Sequence, residues 1–179
     1  MAPRPVPEDG RITESGEYAL TDDRVVSGVS PASEAMVRIA ADGVTLDGRG
    51  HALVGGGVSD TTAIAAGGES ALSEVVVENV VVEAWEVGVS LRNVDRATVR
   101  GVEATGNGYG FLLEGVATPR LADCAVRENL VGVSVVAASG SASTSDSTSA
   151  STSPSAFDFE SGNDVSNNRL ADVRRADDC

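Results

Sequence analysis

The chain has no lysine. All 13 of its basic residues are arginine, against 27 acidic ones, for a formal charge of −14 at pH 7. Nucleic acids and anionic membranes are bound through basic surfaces, so this balance argues against both as partners. It suits a protein kept soluble in concentrated salt, where screening shortens charge repulsion to about 3 Å at 1 M. Aromatic residues make up only 3% of the chain, so valine, leucine and alanine must fill the core. One histidine, two methionines and two cysteines are too few for a copper site, which needs several such ligands, and no cofactor is expected. Two cysteines, Cys124 and Cys179, do not make a disulfide framework. No apolar run reaches the roughly 18 residues of a membrane span. The opening "MAPRPVPEDGR" is proline-rich without an apolar h-region, so no signal peptide is read in the chain as it stands.

What the chain has instead is a repeat. "EVGVSLRNV" (86–94), "GYGFLLEGV" (108–116) and "LVGVSVVAA" (130–138) follow one another at intervals of 22 residues. At that offset the columns match in character. Val77, Val99 and Leu121 form one. Val80, Val102 and Cys124 form another, and Val82, Ala104 and Val126 a third. Gly88, Gly110 and Gly132 stack, followed by Val89, Phe111 and Val133 and then by Leu91, Leu113 and Val135. A fixed period of this size signals a solenoid. Within each repeat the apolar positions alternate, at 75 and 77, 80 and 82, 89 and 91, which is strand periodicity. The leucine-rich pattern with its helical half is absent. Three short strands per repeat predict an all-β fold, a short right-handed parallel β-helix of about five rungs of roughly 22 residues.

The rungs extend upstream with less regularity, with strands expected at 37–39, 44–46 and 52–54 and extra turn residues at Gly67–Ser70. Residues 35–138 form the solenoid in this reading. Residues 1–34 are an N-terminal segment and cap, because an open terminal rung offers unpaired strand edges. The glycines at 88, 110 and 132 are expected where the chain turns between faces. Asn107 and Asn129 share a column with Trp85, and stacked asparagines can bond from rung to rung. The stretch 139–156 has 12 Ser or Thr in 18 residues and cannot bury apolar surface, so it reads as a disordered insertion or linker. Residues 157–179 are a partial rung or a tail.

"RITESGEYALTDD", "VRIAADGVTLDGRGHAL" and the 22-residue rungs resemble right-handed parallel β-helix repeat proteins of extreme halophiles. These are similar to the periplasmic copper-maturation β-helix family (NosD-like) and to the carbohydrate-binding and sugar-hydrolase β-helices. The resemblance covers roughly residues 10–138. It implies a β-helix and a polysaccharide partner, and relatives are often extracellular or at the cell surface.

Polysaccharide-cleaving β-helices cluster carboxylates on one solvent face, as acid and base or as calcium ligands. Here Asp42 and Asp47 flank a strand, Glu78 lies one rung on near Asp47, and Arg100 follows in the column of Glu78. Asp47, Glu78 and Arg100 therefore line one face, either as a ligand site or as an ordinary solvated surface. Trp85 and Tyr109 are the candidate aromatic platforms for a sugar ring. His51 reads as a turn residue after "DGRG", and Cys124 as a buried small hydrophobe. "GNGYG" (106–110) opens no helix and is no phosphate loop. Three functions stay open: a non-catalytic module binding a polysaccharide or another surface ligand along an outer face, a carbohydrate lyase or hydrolase, and a structural relative without ligand.

Overall fold

A computed structural model describes residues 2–26, 35–57, 59–136, 158–159 and 162–175. The described residues contain strands and turns and no helix. Every strand pairing is parallel, and the strands stack as a β-solenoid of about five turns. Each turn contributes a strand to each of three faces.

The first face stacks Arg11–Ile12, Val37–Ile39, residues 64–66, residues 87–92, Tyr109–Glu114, Val131–Val136 and Ala171–Arg175. The second stacks Arg4–Pro5, Gly16–Ala19, Val44–Asp47, residues 75–78, residues 96–100, Thr118–Ala122 and Asp158–Phe159. The third stacks Arg24–Val25, Ala52–Val54, Val81–Glu83, Glu103–Thr105, Ala125–Arg127 and Asp164–Ser166. Alternating side chains point inward, where valine and leucine columns meet in one continuous core. Val77 lies opposite Val99, and Val99 opposite Leu121. Val82, Ala104 and Val126 are likewise in register, as are Val89, Phe111 and Val133. The 22-residue period is thus the circumference of the solenoid.

Two features differ from the sequence expectation. Thr62–Glu78 and Val87–Arg100 each run through a corner as one strand, which joins the first two faces into a single 12-stranded sheet beside the six-stranded third. The bend is taken at one residue, Asn93, at φ 52°, and pairing resumes at Val94. The N-terminal segment is also more than a cap, because it supplies strands to all three faces. Its outermost strand is the two-residue Arg4–Pro5, flanked by Pro3 and Pro7. Proline has no N–H to offer a further strand, so that edge is blunted against pairing.

The corners also correct the role expected of the glycines of the repeat. The chain turns at left-handed residues that are themselves stacked 22 apart: Asn79, Gly101 and Asp123 at one corner, Ala84, Gly106 and Glu128 at another. Gly88, Gly110 and Gly132 instead lie inside the strands of the first face. What demands glycine there is close approach. A Cβ on Gly110 would stand 2.5 Å from Val126 Cγ1 and 2.6 Å from the carbonyl oxygen of Gly132. Strands Asp164–Ser166 and Ala171–Arg175 continue the third and first faces beyond residue 136. The Ser/Thr-rich stretch at 139–156 lies outside the described residues.

The asparagine column is present and longer than expected. Asn107 Nδ2 donates to Asn129 Oδ1 at 2.9 Å, and Asn129 Nδ2 donates to Asn168 Oδ1 at 3.0 Å. Asp172 Oδ1 closes the lower end by accepting from Asn168 Nδ2 at 2.9 Å.

Candidate functional site

On the outer surface of the second face, Asp47 lies opposite Glu78 and Glu78 opposite Arg100, on three consecutive turns. These three side chains, with Arg49, Glu17 and Thr45, line a groove of about 620 Å³ that runs over four turns. The sequence places them together because each sits at an outward position of the alternation, 22 or 31 residues apart, and strands on adjacent turns are about 4.8 Å apart.

The groove is held rigid by its own polar contacts. Glu78 Oε2 accepts from both Nε and Nη2 of Arg100, and the Glu78 side chain is only 12% exposed. Asp47 Oδ1 accepts from the Arg49 backbone N–H at 2.9 Å and from Asn79 Nδ2 at 3.2 Å. Arg49 itself is left-handed, at φ 51°, in the turn that follows. Among the described residues its guanidinium has no ion-pair partner, whereas that of Arg100 is engaged. Tyr18 forms part of the groove floor, with the Arg4 guanidinium 5.5 Å from its ring centroid. Glu17, Thr45, Arg49 and Tyr18 were not singled out from the sequence. The outward alternation through Glu17, Thr45 and Thr98 was the available signal.

The two aromatic candidates lie elsewhere. Trp85 is 4% exposed and belongs to the core. Its backbone N–H donates to Asn107 Oδ1 at 2.9 Å, and its indole Nε1–H donates to the Leu53 carbonyl at 2.9 Å. The tryptophan therefore ends the asparagine ladder and turns its ring inward, and it offers no open face to a sugar. Tyr109 is half-buried on the first face, between Val87 and Val131, away from the groove. Asp42 is engaged in a turn, its Oδ1 accepting from the Ser73 N–H at 2.7 Å.

His51 follows the "DGRG" turn, and its Nδ1 lies 3.1 Å from Asp23 Oδ1. Asp23 is held below the usual carboxylate range, first by the Ala52 N–H that it accepts and then by His51. Cys124 is 2% exposed, and burial pushes its thiol pKa up. Its Sγ–H is directed at the carbonyls of Val99 and Ala122, at 3.4 and 3.3 Å. A buried, protonated thiol is a poor nucleophile. Iodoacetamide should accordingly alkylate Cys124 only after unfolding, as read by peptide mass spectrometry. An adduct at Cys124 within minutes on the native protein would contradict this placement.

Among the described residues no group of three or more His, Cys, Asp and Glu side chains is arranged to hold a metal ion. No helix of the described residues is long and apolar enough to cross a membrane. No protein-family model, curated protein or solved structure matches the chain.

Proposed function

We propose that this protein is a non-catalytic β-solenoid module that binds a neutral, hydroxyl-rich polysaccharide in the groove of its second face. The observation that carries the reading is the column Asp47, Glu78, Arg100, with the guanidinium of Arg49, which has no ion-pair partner among the described residues, lining the same groove. Sugar hydroxyls both donate and accept, so they suit a surface where carboxylates and guanidinium groups alternate on a fixed frame. The groove's charges nearly balance: Arg49 and Arg100 stand against Glu17, Asp47 and Glu78. On a protein carrying −14 this favours an uncharged polymer over an acidic one. The resemblance of "ADGVTLDGRGH" is to β-helix repeat proteins of extreme halophiles and bears on the fold; the wider group these are similar to includes carbohydrate-binding and sugar-hydrolase β-helices, which suggests the ligand class.

A hydrolytic reading is weaker on the same geometry. A glycosidase needs one carboxyl free to pass a proton to the leaving oxygen. Here Glu78 is committed to Arg100, and Asp47 Oδ1 to two amide donors.

The test is incubation with neutral and acidic polysaccharides in molar salt, following both retention of protein and release of fragments. Retention on a neutral polymer without fragments is expected, with Arg100→Ala weakening it about tenfold through loss of a charge-assisted contact and release of Glu78. Fragment release would overturn the non-catalytic reading. Retention unaffected by Arg100→Ala and Arg49→Ala together would remove the site from this groove.

A further inference from the structure

We propose that the module carries a second, parallel track for a neutral polysaccharide chain, along the corner between the first and second faces, so that one molecule holds two chain segments. This rests on the ligand class argued for the face groove, but on different residues. A trough of about 890 Å³ runs along that corner past five turns, from Arg38 to Val136, within the volume range of ligand sites.

Three features mark the trough as built. First, the wall is an insertion. Gly67 pairs with Arg92, but the next ladder pair is Leu72 with Val94, so one turn carries three more residues than its neighbour. Such bulges interrupt a ladder at a cost and are concentrated beside functional sites. The bulge is also tied down: Asn93 Nδ2 donates to the Gly68 carbonyl at 2.6 Å. Second, the corner is fixed by close approach of successive turns. Gly67, Asn93 and Gly115 are left-handed on successive turns, and a Cβ on Gly67 would stand 2.0 Å from the Arg92 carbonyl oxygen, so the turns that line the trough are stacked tightly in one row. Third, the walls hold unused charge of both signs. Arg92 pairs with Glu114, while among the described residues Arg38 and Glu69 have no ion-pair partner.

The chemistry selects the ligand. The four charges of the trough, Arg38, Arg92, Glu69 and Glu114, sum to zero, and its lining has no aromatic residue. A polyanion finds no net attraction there, and an apolar helix finds no apolar bed. An extended peptide would need free ladder groups, but the corner amide of Gly115 already donates to the Val136 carbonyl at 2.9 Å. Hydroxyl groups, which both donate and accept, match the mixture that is left.

The experiment is titration calorimetry of the full chain with neutral oligosaccharides of graded length, in molar salt. The variants are the pair Arg38→Ala with Glu69→Ala for the corner, and the pair Arg49→Ala with Arg100→Ala for the face. Two oligosaccharides per protein are expected, each variant pair reducing this to one. A wild-type protein that cross-links a long polymer, and a corner variant that does not, is the matching result with chains. A stoichiometry of one, lost with the face variant and untouched by the corner variant, would overturn the second track and leave the face groove standing. A stoichiometry of one lost only with the corner variant would overturn the face groove instead. Absence of any binding would overturn both. Circular dichroism of each variant, unchanged from wild type, keeps a loss of fold from being read as a loss of site.

Discussion

Asn129→Ala should cost about 3–5 kcal/mol of stability, the largest effect expected of any side chain that is not apolar. Asn129 is fully buried, with 0% exposure. Its Nδ2 donates to the carbonyls of Ala104 and Arg127 and to Asn168 Oδ1, at 2.9, 3.0 and 3.0 Å. Its Oδ1 accepts from the backbone N–H and the Nδ2 of Asn107, at 3.0 and 2.9 Å. Truncation leaves the Ala104 carbonyl and the Asn107 amide buried without that partner, and each such orphan costs about 1–3 kcal/mol. Asn107 in turn orders Trp85, so the loss spreads one turn further. For a chain of this size the melting temperature should fall by roughly 10 °C or more. Leu130→Ala, next in sequence but 44% exposed, is the control and should stay within about 1 kcal/mol. Denaturation in molar salt that finds the two variants equal would show that the ladder is incidental to stability.

That ladder also shows what could be read in advance. The columns Val77–Val99–Leu121 and Val82–Ala104–Val126 were legible because a solenoid makes the sequence period equal to the spatial repeat. An alignment of the chain with itself is then a contact map. The asparagine column was legible for the same reason. The fate of Trp85 was not, although it stands in that column. A residue in a column that points inward goes inward, and its size only decides how the stack ends. The corners were misassigned because the one column made wholly of glycine does not lie at a corner. The column at 88, 110 and 132 is strict, since a Cβ there meets the next turn. The corner columns are mixed: Asn79, Gly101 and Asp123 at one, Ala84, Gly106 and Glu128 at the other. Asn and Asp tolerate a left-handed backbone, and Ala and Glu accept it at a cost of about 1–2 kcal/mol each, so that signal is diluted across residue types.

The candidate site was half legible. Asp47, Glu78 and Arg100 could be placed in one column by counting, because charge at outward positions survives in the pattern. Arg49 could not, because its position depends on how a turn folds, and the outward alternation that marks Glu17 does not say which turn the N-terminal segment joins. The corner trough was hidden for a related reason. The three additional residues before Leu72 were visible as a break in the period, but only the fold shows that they form a wall opposite Arg92 and Glu114.

Val102→Asp should unfold the solenoid, while Glu103→Lys, one residue on, should leave its stability within about 0.5 kcal/mol. Val102 is 1% exposed in the inward column with Val80 and Cys124, and Glu103 is exposed on the third face. An unpaired carboxylate in that apolar column has no donor to satisfy it, and the cost exceeds the 4–5 kcal/mol at which single substitutions become exceptional. Domains of this size are stable by only about 5–15 kcal/mol. Each turn is supported only by its neighbours, so a broken turn in the middle leaves two short fragments with new open ends. Val102→Ala separates charge from volume. It should cost about 2 kcal/mol, the scale of a small buried truncation, and keep the fold. The measurement is the far-ultraviolet circular dichroism and melting curve of the three variants in molar salt. A folded Val102→Asp protein with the stability of Glu103→Lys would mean that residue 102 faces solvent. The alternation would then be out of step by one residue, which in a strand exchanges the core face for the outer one along its whole length. The grooves on that outer surface would have to be redrawn with it.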